Sequence, residues 1–216
     1  MFPNDYVMRQ IELLVWGLAR IMGFKQENRL EEALNLTQAT LRKFFGLTDQ
    51  AVEELTWHNL MVVASLGGLP DYERCALLAQ LIAENADLRQ MQGAEESALY
   101  LKALCIYLAV ADASELLQTA EHDSRIKDLM AHVTLDCLPD ELLGPVFHYH
   151  WRTGRYACAE DALYDMLEAG LPGSGEEGVD FYHALLEKSD GELDCGGLPR
   201  KEVLEGLDNL IKRVGQ

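Results

Sequence analysis

The 216-residue chain is long enough to bury a hydrophobic core of its own, and its 49% hydrophobic and 25% charged residues are typical of a soluble globular protein. Its 36 acidic against 18 basic residues give a formal charge of −18, which excludes the positive surface that DNA or RNA binding needs and disfavours binding to an anionic membrane. Either solubility alone or a basic protein partner accounts for this charge.

The first predicted element is an amphipathic helix that begins near Asn4 or Asp5 and ends at Gly23. Its apolar residues are Met8, Ile11, Val15, Leu18 and Met22, with Val7, Leu14 and Ile21 widening the stripe. Two sides of the helix are therefore apolar, which is more than one packing surface needs. The helix is either buried within its own domain or paired with a second copy of itself. Charged residues within it argue against a signal peptide or membrane span, so we expect a cytoplasmic protein.

Helical patterns with short connections continue to the end of the chain, and strand signals are nearly absent. A second helix ends at Gly46, a third follows Thr48, and a fourth runs from about Asp71 to Met91. The last helix has Pro199 in its first turn, and its predicted apolar face is Val203, Leu204, Leu207, Leu210, Ile211 and Val214. We predict nine or ten helices and an all-α class.

A helical hairpin is predicted over residues 141–153 and 155–170, with a turn at Gly154. One face of its first helix carries Leu143, Val146, Phe147 and His150, and one face of its second carries Tyr156, Ala159, Leu163 and Met166. This spacing resembles one tetratricopeptide repeat, except that Phe147 and Met166 replace small residues. A weaker copy spans residues 55–88, with a longer turn.

These patterns predict stacked antiparallel helical hairpins in a tetratricopeptide-like α-α superhelix. We expect a single helical domain over residues 1–216. Within it, residues 1–47 would be an N-terminal helical pair and dimerisation element, and residues 48–216 would be hairpin repeats.

The opening segment NDYVMRQIELL and the closing segment GGLPRKEVLEGL carry a resemblance that covers nearly the full chain. With helical hairpins between them, they resemble an uncharacterised bacterial, Firmicutes-type family that is defined only as a domain of unknown function. The resemblance implies a helical, tetratricopeptide-like fold in a bacterium. It implies no activity.

The predicted partner-binding residues are His148, Trp151 and Arg152, which share one side of a helix at spacings of three and four. In tetratricopeptide proteins, which this segment resembles, the corresponding side lines the concave ligand groove. Tryptophan and arginine are also enriched at binding hot spots. The alternative is an ordinary contact between this helix and the next one.

Metal chemistry is not favoured by the pattern. His148 and His150 are two positions apart, which on a helix points them in nearly opposite directions. Residues 189–201 begin like a calcium loop, but Cys195 and Lys201 stand where glycine and glutamate are needed, so a solvated loop is expected. No nucleophile elbow, P-loop or zinc-protease motif is present. We therefore expect no metal, no cofactor and no catalytic residue.

The five cysteines, Cys75, Cys105, Cys137, Cys158 and Cys195, form no C-x-x-C pair and indicate buried free thiols in a reducing compartment. A Cys158–His150 dyad stays open, since such pairs need not be local in sequence. An acidic stripe, Asp161, Asp165 and Glu168, is either solvated or a docking face for a basic segment.

The predicted function is a non-enzymatic protein-protein interaction or scaffold module. Its partner would be a protein or a peptide, and the acidic charge of the chain would favour a basic one. The protein could also form a homodimer through its N-terminal helix. The alternative is a small helical enzyme or a metal- or ligand-binding sensor.

Overall fold

A computed structural model describes residues 4–65, 70–134 and 137–214, and within these ranges it contains twelve α-helices and no strand. The predicted all-α class is confirmed, with more helices than expected. The chain divides into two compact units, residues 1–137 and 138–216. That residues 1–216 fold as one domain stays a prediction.

Unit 1 contains seven helices: α1 (Asn4–Gln26), α2 (Leu30–Phe45), α3 (Asp49–Glu54), α4 (Trp57–Ala64), α5 (Tyr72–Met91), α6 (Ser97–Ala113) and α7 (Ala120–Met130). The prediction that α1 ends at Gly23 is wrong by three residues. The single helix predicted after Thr48 is two helices, because the Thr56 side chain accepts a hydrogen bond from Asn59 N and starts α4 anew.

The centre of unit 1 is the hairpin of α5 and α6, with the α1–α2 hairpin packed on α5 and with α4 and α7 packed on α6. Helix α5 is buried on several sides, which explains why its sequence has no clear polar face. The core of unit 1 includes Leu78, Leu81, Ile82, Leu88, Leu104 and Ile106. The weaker predicted hairpin corresponds to α4 and α5, but residues 66–69 of its turn lie outside the described ranges.

Unit 2 contains α8 (Leu143–Arg152), α9 (Tyr156–Glu168), α10 (Ser174–Leu186), α11 (Asp190–Cys195) and α12 (Arg200–Val214). The α8–α9 hairpin is confirmed. Gly154 has φ +74°, a conformation that favours glycine, and Arg155 N donates to His150 O across the turn. Every residue of the two predicted facing surfaces is buried except Leu143, which is half-buried.

The end of unit 2 differs from the sequence prediction at two places. The expected loop at 190–195 is the short helix α11, because Ser189 and Glu192 form a capping box. The apolar face of α12 is narrower than predicted, with Leu204 and Ile211 exposed. Helix α12 packs closely on α10, since a Cβ on Gly206 would lie 2.5 Å from the Tyr182 hydroxyl.

All five cysteines are free. Cys75 and Cys105 are buried as expected, and burial raises the pKa of the Cys75 thiol to about 11. The expectation of burial is wrong for Cys137, Cys158 and Cys195, which are exposed.

Candidate functional site

Unit 1 contains a half-open cavity of about 400 Å³ between α1, α5 and α7, called here the α1 groove. Its apolar lining is Ile11, Val15, Leu18, Ala19 and Met22 of α1, Ala76 and Leu77 of α5, and Leu117. Its polar lining is Glu73, Gln80, Tyr107, Glu121, His122 and Arg125. The volume lies within the range of pockets that hold small molecules.

The groove exists because α1 is apolar on two sides. Leu14, Leu18 and Ile21 are fully or almost fully buried and pack the helix onto its own unit. The second apolar stripe, which includes Ile11 and Val15, faces the cavity instead of another helix. The excess of apolar surface noted in the sequence is therefore the wall of an open groove.

One end of the groove is polar. Tyr107 is 3% exposed, and within the described part of the chain its hydroxyl makes no hydrogen bond. Burial raises the pKa of Tyr107, so the hydroxyl is a neutral donor. Burial also lowers the pKa of His122, whose Nδ1 lies 2.8 Å from Thr119 Oγ1. Arg125 lies 3.7 Å from Glu84, which is too far for a hydrogen bond.

A second cavity of about 100 Å³ lies between α5, α6 and α7 and shares Gln80, Tyr107 and Arg125 with the groove. Its wall includes a network in which Lys25 pairs with Glu84 and Asp87, and the Tyr100 hydroxyl donates to Asp87 at 2.7 Å. The Glu84 carboxylate is 4% exposed and already has Lys25 as a counter-charge. Arg125 is therefore not its sole cation.

The residues predicted to bind a partner lie in unit 2. His148 Nε2 is 2.5 Å from Glu177 Oε1 of α10, and the Trp151 ring packs edge-on against Phe181 of α10, with centroids 5.4 Å apart. Arg152 is exposed, with its guanidinium 5.8 Å from the Tyr149 ring. His148 and Trp151 thus contribute to a helix–helix contact, the alternative left open by the sequence. Their role in partner binding stays a prediction.

Sequence reasoning missed the residues of the groove's polar end. Tyr107 comes from α6, His122 and Arg125 from α7, and Gln80 from α5, so no local motif unites them. The signal available in the sequence was the second apolar stripe of α1. It indicated an apolar surface beyond what one packing contact needs, but it did not indicate a groove.

Across residues 4–65, 70–134 and 137–214, no group of three or more His, Cys, Asp or Glu side chains is placed to hold a metal ion. Within the same ranges, no helix combines the length and the apolar character that crossing a membrane requires.

The fold and the groove define an all-α protein of helical hairpins with an apolar cleft. The chain belongs to a family of unknown function, DUF6483, whose model matches residues 1–215. The match agrees with the resemblance to a domain of unknown function carried by the two ends of the sequence. No curated protein and no solved structure matches the chain.

Proposed function

We propose that this protein is a non-enzymatic interaction module that associates with a second copy of itself through the outward surface of α1. The observation that supports this is the exposure of large apolar residues on one side of the helix: Met8 is 56% and Trp16 60% exposed. Clustered exposed apolar groups mark protein contacts more often than scattered ones do. The tetratricopeptide-like superhelix, the bacterial and Firmicutes-type origin and the cytoplasmic location belong to the same proposal.

The partner is argued from charge. The ridge of residues Met8, Glu12, Trp16 and Arg20, spaced by four, lies on the exposed side of α1 and carries one acid and one base. Two copies crossing at Trp16 with antiparallel axes would place Glu12 of each copy opposite Arg20 of the other. The charges of the ridge on one copy are thus complementary to those of the same ridge on the second copy. Arg20 already lies 5.0 Å from the Trp16 ring, which keeps its charge beside the crossing point.

A basic partner, which the overall charge of −18 would attract, has less support at this surface because Arg20 would repel it. The net charge also makes two copies repel at long range, and salt screens this repulsion as well as the ion pairs. The salt dependence of binding therefore does not distinguish a second copy of the chain from a basic partner. Exchanging the charges of Glu12 and Arg20 does distinguish them.

The experiment is sedimentation equilibrium over a wide concentration range. Glu12→Arg and Arg20→Glu should each weaken the dimer by about tenfold or more, because each creates two like-charge contacts, and the double variant should restore it. Glu31→Arg, on the exposed part of α2, is the matched control. A wild-type protein that is monomeric throughout, or a double variant no better than the single ones, would contradict the proposal.

The second candidate function, a ligand-binding sensor, is favoured by a different observation. Tyr107 lines a groove of small-molecule size, and no described residue accepts a hydrogen bond from its hydroxyl.

A further inference from the structure

We infer that the α1 groove binds a small amphipathic carboxylate, with its apolar chain along α1 and its carboxylate on Tyr107 and Arg125. This goes beyond the proposed self-association. The site is formed within one copy of unit 1, and its residues are not those of the Glu12–Arg20 contact.

The apolar part of the ligand follows from the groove wall. Ile11, Val15 and Met22 of α1 face Ala76 and Leu77 of α5 across a cavity of about 400 Å³. Covering such a wall with an alkyl chain removes apolar surface from water without rearranging the core.

The polar part follows from the unsatisfied donors at the inner end. The Tyr107 hydroxyl has no acceptor among the described residues, and because Tyr107 lines the cavity this hydroxyl can donate to a ligand. Thr119 Oγ1 accepts from His122 N and can donate its own proton to Nδ1, which leaves Nε2 of His122 as a donor. Arg125 adds guanidinium N–H groups that no described residue accepts at hydrogen-bond distance.

Three donors around one cavity favour a ligand with an acceptor, and a carboxylate is the acceptor that fits a guanidinium best. A ligand ammonium would place its own donors against these three groups. A neutral alkane would leave the Tyr107 hydroxyl unpaired. The inner end therefore selects an anion over a cation or a purely apolar molecule.

The acids near the site do not reverse this choice. Glu84 and Asp87 are balanced by two cations, Lys25 at 2.9 Å and Arg125 at 3.7 Å from Glu84, so that these four groups together carry no net charge. Glu73 and Glu121 are exposed, so that water and salt screen them from the inner end. Tyr107 and Arg125 act where less water competes, and their hydrogen bonds to an anion are correspondingly stronger.

The test is calorimetric titration of the full-length protein with dodecanoate below its micelle concentration, beside dodecanol and dodecylammonium as chain-matched probes. Dodecanoate should bind saturably, at least about tenfold tighter than either probe. It should also raise the melting temperature. No saturable binding, or equal binding of the three probes, would overturn the inference.

Two variants test whether the ligand carboxylate binds Arg125 and Tyr107. Arg125→Gln should weaken dodecanoate binding by about tenfold or more, and Tyr107→Phe by about threefold or more. Tyr107→Phe should leave the stability of the ligand-free protein unchanged, since the hydroxyl makes no bond to lose. Arg42→Gln, at an exposed position of α2, should bind as the wild type does. Wild-type affinity in both site variants refutes the assignment.

A last experiment distinguishes a small amphipathic carboxylate from the C-terminal carboxylate of a peptide. An apolar hexapeptide with a free C-terminal carboxylate should bind more weakly than dodecanoate, because its backbone amides would be desolvated in an apolar groove. Tighter binding of the hexapeptide would overturn the small-molecule assignment.

Discussion

Lys25 Nζ lies 2.9 Å from Glu84 Oε2, so the last turn of α1 is joined to an almost fully buried carboxylate of α5. Burial acts to lower the pKa of Lys25, but its hydrogen bonds to Asp87 and Glu84 outweigh that effect and the net pKa is raised. The ammonium thus stays charged and holds the wall of the α1 groove in place. A buried ion pair of this kind is costly to break from one side only.

Lys25→Met should therefore lower the free energy of unfolding by about 3 kcal/mol, the lower end for breaking a buried pair, because Arg125 remains 3.7 Å from Glu84. Urea unfolding followed by circular dichroism measures this. In a Glu84→Gln background the same change should cost less than about 1 kcal/mol, since the carboxylate that then loses Lys25, Asp87, is only half-buried. Equal losses in the two backgrounds would show that the ion pair is not the cause.

Trp151→Ala should destabilise unit 2, because the ring packs on Phe147 at 5.5 Å and on Phe181 at 5.4 Å between centroids. The ring is only half-buried, so we expect a loss of about 2 kcal/mol rather than the larger value of a core tryptophan. Thermal unfolding is the measurement. Leu116→Ala, at a position 89% exposed, is the control and should change stability by less than about 0.5 kcal/mol. An unchanged melting temperature in Trp151→Ala would favour the original prediction of a partner surface.

His150 should make unit 2 sensitive to acid. Burial, with a smaller effect of Arg155, lowers the pKa of His150 to about 4, and its Nδ1 has no hydrogen-bond partner in the described structure. The unfolded chain, with an ordinary pKa of about 6.5, takes up the proton first. The stabilisation is therefore complete above pH 6.5 and decreases as the pH falls towards 4, by about 3 kcal/mol at most.

The measurement is urea unfolding at several pH values for the wild type and His150→Phe. Carboxylates titrate in both proteins, so the difference between the two curves isolates His150. That difference should change between pH 6.5 and 4 in favour of the variant. Parallel curves would mean that His150 is protonated in the folded protein without cost.

Local sequence signals predicted most helix boundaries because their causes are local. Gly46 ends α2 in a left-handed conformation, Asp71 caps α5, and Gly154 turns α8 into α9. The errors have local causes too, but weaker ones. Thr56 lies within the longer helix that the apolar pattern predicts, and the Ser189 capping box is a weak signal because α11 has only six residues.

Contacts between helices joined by a short turn were easier to predict than contacts between residues far apart in the sequence. The facing surfaces of α8 and α9 were predicted correctly, since a hairpin with a short turn can pack in few ways. For His148 and Trp151 the sequence left open whether they contact a partner or the next helix, because Glu177 and Phe181 lie about thirty residues further along the chain. Nothing in the spacing of α8 states which helix covers it.

By itself, the sequence determined the all-α class, the α8–α9 hairpin and the presence of a second apolar stripe on α1, because helical periodicity and turn residues act within a few residues. Only the tertiary structure decided that this stripe borders a groove and that Tyr107, His122 and Arg125 meet at its end. These three side chains come from two helices, and they line one cavity only because α6 and α7 pack together.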